Sequence, residues 1–288
     1  MFFCAASKLK TKTGVWFHVP GFKFQDFQNP ETGTNLFPSV INKSPMKPKT
    51  ALILLAVLTM FTPVPAGAAD KQTSLLIDRV LAAYGSWDSL GRVRSYRMEG
   101  TVVAKMRNIQ GPAVRTFARP DRLKVDLQYP GAPEGRILNR TQGWRSDKTG
   151  NLQPVTGFLF ESMRLQAARA NIPWILDDMK EQARPTVPVI VDGTQYAGIE
   201  MTLGPGVIFR VYAHPETHLI IHSQGVLDLP GMKTGFVASY SDFRKMAGVL
   251  FPYREENYAS GYHTGSTIIE KITVNPELPV GYFKPSLN

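Results

Sequence analysis

Beyond residue 70, apolar and polar positions fall into two successive periods. Leu75, Leu76, Val80, Leu81 and Tyr84 recur at helical spacing after the polar stretch 70–74, which predicts an amphipathic helix that Gly85 stops. A short turn around 87–90 leads into segments with a period of two. Tyr96, Met98, Gly100 and Val102 alternate with Arg97, Glu99 and Thr101, and Leu123, Val125 and Leu127 alternate with Arg122, Lys124 and Asp126. These are half-buried antiparallel strands, and 113–118, 135–139 and 143–146 read the same way. Helical spacing returns at Phe158, Leu159, Met163, Leu165 and Ala168, and a bend at Asn171-Ile-Pro173 opens a second helix running to Gln182. Strands then resume over 195–203, 207–213, 218–227, 234–243, 251–258 and 266–274, joined by turns such as Gly204-Pro-Gly206 and 214–217. Short strands at this spacing predict one large antiparallel sheet.

The alternation has one irregularity. In 207–213 one face carries Val207, Phe209 and Val211, while the other carries Ile208, Arg210 and Tyr212. Both faces are partly apolar, so the second is expected to be covered or to curve around a cavity, with the two helical regions as the cover.

Ahead of these elements stands a different pattern. Met46, Lys47 and Lys49 precede the apolar run 51–61, which is followed by Pro63, Pro65 and Ala66-Gly67-Ala68. A positive start, an apolar middle and a small-x-small end are the three parts of a secretory signal peptide. Eleven residues do not cross roughly 30 Å of hydrocarbon, and the prolines end any helix at once, so a permanent anchor is the weaker reading. Residues 1–45 show no helix or strand period and are expected to be an unstructured extension, explained by a start codon assigned too early. The organisation read from the sequence is therefore 1–45 extension, 46–69 signal peptide and 70–288 a single domain, exported to the periplasm. The chain's one cysteine, Cys4, lies in the extension, which leaves the exported domain without a disulfide, a thiolate metal site, a cysteine nucleophile or a lipid-anchor acceptor.

Charge changes the picture little. The whole chain carries +10, but 70–288 holds 26 Lys/Arg against 21 Asp/Glu, a net +5. No run of clustered basic residues with interleaved aromatics occurs, so nucleic acid is not an expected partner. His214, His218 and His222 sit four apart, yet Pro215 and the β-branched pair Ile220-Ile221 place them on a turn and strand. There the two that share a face stand roughly 13 Å apart, too far for one metal. No Gly-x-Ser-x-Gly elbow occurs, and Ser239, Ser241 and Asp242 alternate along a strand instead of converging. Asp177-Asp178 reads as a helix surface, and Gly204-Pro-Gly206 as a hairpin turn. No cofactor, no metal and no enzymatic activity are expected.

The element order carries a resemblance: a helix first, strands, a central helical insertion, then a long strand meander. With it go Tyr84-Gly85, the strand Tyr96-Arg-Met-Glu-Gly100, the stretch from Arg119 to Val125, Gly143-Trp144, Tyr240 to Arg244 with Gly248 to Pro252, and Phe283-Lys-Pro285. In these the chain resembles the periplasmic lipoprotein-carrier and outer membrane lipoprotein-sorting superfamily, which includes LolA, the lipid-binding lipoproteins of the LppX type and the RseB sensor domain. The resemblance implies an α+β fold, a large curved antiparallel sheet or unclosed half β-barrel capped by helices around a hydrophobic cavity that takes acyl chains.

The function it implies is a non-catalytic periplasmic binder or carrier of lipidic ligands, such as lipoprotein acyl chains, exchanging them with a membrane protein donor or acceptor and acting as a monomer. An envelope-stress sensor binding lipid and a membrane protein is the alternative, and an exported hydrolase a third. Tyr96, Trp144, Phe158, Phe160, Trp174, Phe209, Tyr212 and Phe236 are the expected ligand-binding residues, some of which will simply be core. Arg97 and Arg210 are candidates to hold a lipid head group or carboxylate from an inward position, with an outward surface role the other reading.

Overall fold

Most of the chain folds as its periodicity requires. The computed structural model describes residues 18–19, 22–23, 66–147 and 149–285, so the apolar run 51–61 and the signal-peptide reading built on it lie outside the described residues. Within 1–45, β1 (His18–Val19) and β2 (Phe22–Lys23) pair with each other, and Phe22 pairs with Val191 at the edge of the main sheet. Helix α1 (Ala66–Tyr84) turns Ile77, Val80, Leu81 and Tyr84 into the core. Leu75, expected on that face, is exposed, because it lies two residues before Ile77 and so on the other side of the helix. Gly85 ends α1 and bridges to Val249; a Cβ there would stand 2.6 Å from the carbonyl oxygen of Gly248. The turn expected at 87–90 is instead a short helix, α2 (Trp87–Arg92), because the Ser86 hydroxyl accepts the amide of Ser89 and caps it.

Six antiparallel strands follow: β3 (Ser95–Ala104), β4 (Ile109–Ala118), β5 (Arg122–Leu127), β6 (Glu134–Asn139), β7 (Gln142–Ser146) and β8 (Leu152–Val155). Helices α3 (Gly157–Ala170) and α4 (Trp174–Asp178) make the predicted pair around the bend at Asn171, with a single 3-10 turn, Lys180–Gln182, after them. The second half is a meander of β9 (Arg184–Val191), β10 (Thr194–Gly204), β11 (Val207–Ala213), β12 (Ile220–Leu229), β13 (Met232–Met246), β14 (Val249–Ala259) and β15 (Tyr262–Val274). The sequence reading had no β8 or β9. Prolines hide both: Pro154 sits in a four-residue edge strand, and Pro188 lies where the register of β9 shifts opposite Tyr196 and Gly198 of β10.

The strand order runs β9 to β15 and then β3 to β8, with β15 pairing β3, and the two ends of the sheet do not meet among the described residues. The fold is α+β, an open antiparallel sheet with helices on one face. Helix α3 packs on β11 and β12 from one flank and on β6 and β7 from the other. A flat sheet would hold β12 and β6 about 34 Å apart, whereas α3 is about 21 Å long, so the sheet must curl beneath it. The enclosed face holds one large core that includes Ile77, Tyr84, Phe117, Leu165, Trp174, Phe209 and Phe251.

On the outer face two smaller clusters form. Val189, Tyr196 and Tyr212 make one, and Ala118, Ile137 and Phe283 make the other. They correct the expectation for 207–213. Helix α3 covers the face with Val207, Phe209 and Val211, while Tyr212 on the opposite face is covered by neighbouring side chains of the sheet and not by a helix.

Candidate functional site

The apolar stripe of α3 does not reach the sheet everywhere. Between it and β3, β4, β5, β14 and β15 lies a cavity of about 590 Å³. Small side chains on the strand floor, Ala104 and Ala113 among them, leave the space, and Val102, Val125, Leu127, Met163, Phe158 and Phe236 make its wall apolar. The Phe158 and Phe236 rings meet across it with centroids 6.4 Å apart. Met106, 73% exposed, and Leu159, 39% exposed, mark the mouth.

Two groups of charge interrupt this wall. At the rim Glu134 gathers three arginines, Arg107 at 2.8 Å, Arg136 at 3.0 Å and Arg145 at 3.6 Å. Burial pushes the Glu134 carboxyl up, but Arg136 and Arg107 outweigh it and hold it below the usual carboxylate value. Farther in, Arg115 of β4 grips Glu255 of β14 through both carboxylate oxygens, at 3.0 and 2.5 Å. Burial alone would lower the Arg115 guanidinium, but Glu255 more than reverses this and raises it. Arg169, near the end of α3, lines the same region, and burial lowers its guanidinium. Tyr240 donates to or accepts from Ser223 at 2.7 Å, and burial pushes its phenol up to about 12. A recess of about 20 Å³ shares Met98, Arg115, Arg169 and Glu255 with the main cavity.

No family model and no curated protein matches the chain. Several solved structures are similar to it in fold, three of which follow. One is an outer membrane lipoprotein-sorting protein domain from Vibrio parahaemolyticus, 8% identical, covering 74% of this chain and 97% of that one at a TM-score of 0.47. A DUF1329 family protein from Desulfovibrio piger is 13% identical and covers 75% and 97% at 0.49, and a LolA superfamily protein from Nitrosomonas europaea is 11% identical and covers 74% and 97% at 0.48.

The structure scatters the residues singled out in the sequence. Phe158 and Phe236 line the cavity. Phe160 is on α3 against Gly143. Phe209 is fully buried core. Tyr96 and Trp174 stack with centroids 6.3 Å apart in the core beside the small recess, where the Tyr96 hydroxyl donates to the carbonyl of Ala170 and the Trp174 indole to that of Leu90. Trp144 and Tyr212 belong to the outer-face clusters. Arg97 pairs with Glu99, and Arg210 with Glu200, on the face away from the cavity. The alternation carries them there: Tyr96 and Met98 take the inner positions of β3, and Phe209 and Val211 those of β11.

Arg115, Arg169 and Glu255 are absent from the sequence-based selection, although each carries a signal. Arg115 is in period-two register with Ala113 and Phe117, and Glu255 with Phe251 and Tyr253. Arg169 continues the helical stripe Phe158, Ser162, Leu165. A charge in an apolar register was the mark to look for. The histidines are placed apart from the cavity. His214 and His222 each meet the Tyr196 ring edge-on, and His222 Nδ1 is 2.9 Å from Ser239 Oγ. Among the described residues no group of three His, Cys, Asp or Glu side chains converges as a metal site would require.

Proposed function

We propose that this chain is a non-catalytic, periplasmic binder or carrier of lipidic ligands, and that the cavity under α3 holds their hydrocarbon. The observation that carries the reading is the cavity itself, about 590 Å³ of largely apolar space between a curled sheet and a helix that bridges its flanks. That volume lies within the range of small-molecule sites, and each Å² of acyl surface removed from water contributes about 25 cal/mol. The paired hydroxyl and imidazole of Ser239 and His222 sit on the outer face, which supports binding over hydrolysis. The export pattern at 46–69 supports a periplasmic location.

The test is to purify the full chain from cells, extract it and identify co-purified lipids by mass spectrometry, alongside the variant Phe236→Asp. Acyl lipids are expected in stoichiometric amounts with the native chain and depleted in the variant. A delipidated protein that takes up no acyl compound would sink the reading. Sequencing the mature amino terminus checks export, which predicts a start next to Ala68 or Ala69.

A further inference from the structure

Arg169 is an enclosed cation in the cavity without a carboxylate of its own among the described residues. Its Nε and Nη2 have no hydrogen-bond partner among the described residues, and the one acid nearby, Glu255, already gives both oxygens to Arg115. Two guanidiniums and one carboxylate leave a single positive charge enclosed at this end of the cavity. An enclosed charge without a partner is costly to keep, so its presence on the ligand-facing stripe of α3 calls for a counter-charge that arrives from outside. The rim arginines differ in that Arg107, Arg136 and Arg145 each contact Glu134, although three guanidiniums on one carboxylate leave the rim positive as well.

Geometry says what that counter-charge is like. Nε and Nη2 lie on one edge of the planar guanidinium and donate in parallel, which matches two oxygens of a carboxylate or a phosphodiester. Phe158 lies three turns away on the same helix, about 16 Å along the axis, beside Phe236 and toward the exposed Met106 and Leu159. The cavity therefore has an apolar length, an enclosed cation at the Arg169 end and a cationic rim where Arg107, Arg136 and Arg145 meet Glu134.

We propose that Arg169 is an anion subsite, and that the ligand is an amphiphile with a single negative charge whose acid group binds Arg169 while its hydrocarbon chain runs along α3 past Phe158 and Phe236. This deepens the lipid-binding reading and rests on it. The acid is a free fatty-acid carboxylate or the phosphodiester of an anionic phospholipid. Arg115 is a positioning residue, which keeps Glu255 from neutralising Arg169.

The test uses the delipidated full chain with four probes: hexadecanoate, its uncharged counterpart hexadecanol, lysophosphatidylglycerol, and neutral monoacylglycerol. The native chain is expected to bind at least one anion tenfold or more tightly than its neutral counterpart, and whichever anion is favoured tells carboxylate from phosphodiester. Arg169→Met is expected to lose that preference, keep its affinity for the neutral probe, and melt at the same or a higher temperature without ligand. Should Arg169→Met fail to fold, Arg169→Gln carries the same expectation for the preference. Equal affinity of anionic and neutral probes, or a preference that survives the loss of Arg169, overturns the subsite and leaves lipid binding standing. Failure of all four probes to bind overturns lipid binding itself.

Discussion

Arg115 and Glu255 sit three strands apart, and their contact exists only because the sheet curls. A buried pair contributes little net stability against an apolar replacement, but breaking one leaves a charge without a partner at a cost of about 3–5 kcal/mol. Here the two halves are unequal. Glu255→Leu strands Arg115 and leaves two guanidiniums enclosed with no carboxylate between them, and is expected to lose stability in that range in urea unfolding. Arg115→Met leaves Glu255 free to pair with Arg169 and is expected to cost clearly less. Equal losses would mean that Arg169 does not reach Glu255. His222 supplies a pH effect on the opposite face. Burial lowers its imidazole from 6.5 to about 4. Between those pH values the unfolded chain binds a proton that the folded chain refuses, so stability falls as pH drops through this window, by about 3 kcal/mol. His222→Asn is expected to flatten the difference between unfolding curves at pH 7 and pH 4.5.

At the scale of elements, α3 is the piece that makes the cavity. It docks closely because β12 offers Gly225, where an added Cβ would stand 2.7 Å from a Leu165 methyl. Gly225→Val is therefore expected to lift the helix and cost about 1–3 kcal/mol by overpacking, with weaker acyl binding measured on the same sample. Helix and strand identities were legible along most of the chain, since Phe158, Met163 and Leu165 keep helical spacing and Leu123, Val125 and Leu127 keep alternation. β8 and β9 were not, because proline in a sequence speaks against a strand, while at a sheet edge or a register shift its missing N–H harms no pairing. Phase was less legible than type. Leu75 looked like a member of the buried face, and only packing against the sheet and α4 shows that the face is centred on Ile77, Val80 and Tyr84, with Leu76 partly buried against it.

For the whole molecule, two features bear on the stability of the curled sheet. The first is the segment after β15, whose Tyr282 and Phe283 cover the outer face of β4 to β7: Tyr282 Oη lies 3.0 Å from Thr116 Oγ1, and Arg122 and Lys124 lie over the Phe283 and Tyr282 rings at 5.3 and 4.8 Å. Phe283→Ala is expected to cost about 3–5 kcal/mol and to expose Ile137 and Trp144, seen as a lower midpoint in thermal unfolding. The second is the acyl ligand proposed for the cavity, which a melting experiment tests. A compound that enters the cavity of the folded chain alone should stabilise it by about 2.7 kcal/mol at a hundredfold excess over its Kd, so the melting temperature is expected to rise with acyl ligand concentration. A midpoint that does not respond would argue that the cavity stays empty.

Local order came from the sequence alone: the end of α1 at Gly85, the alternation of β3 and β5, the helix pair around Pro173 and the long meander from Thr194 onward. These depend on neighbours a few residues away, and hydrophobic period reports such neighbours directly. The candidate site did not follow from it in the same way. Alternation tells that Arg97 and Tyr96 face opposite sides, and that Arg115 shares a side with Phe117, but not which side becomes enclosed. Arg115, Arg169 and Glu255 come from β4, α3 and β14, and only the curl of the sheet under α3 brings their charges to one end of one cavity.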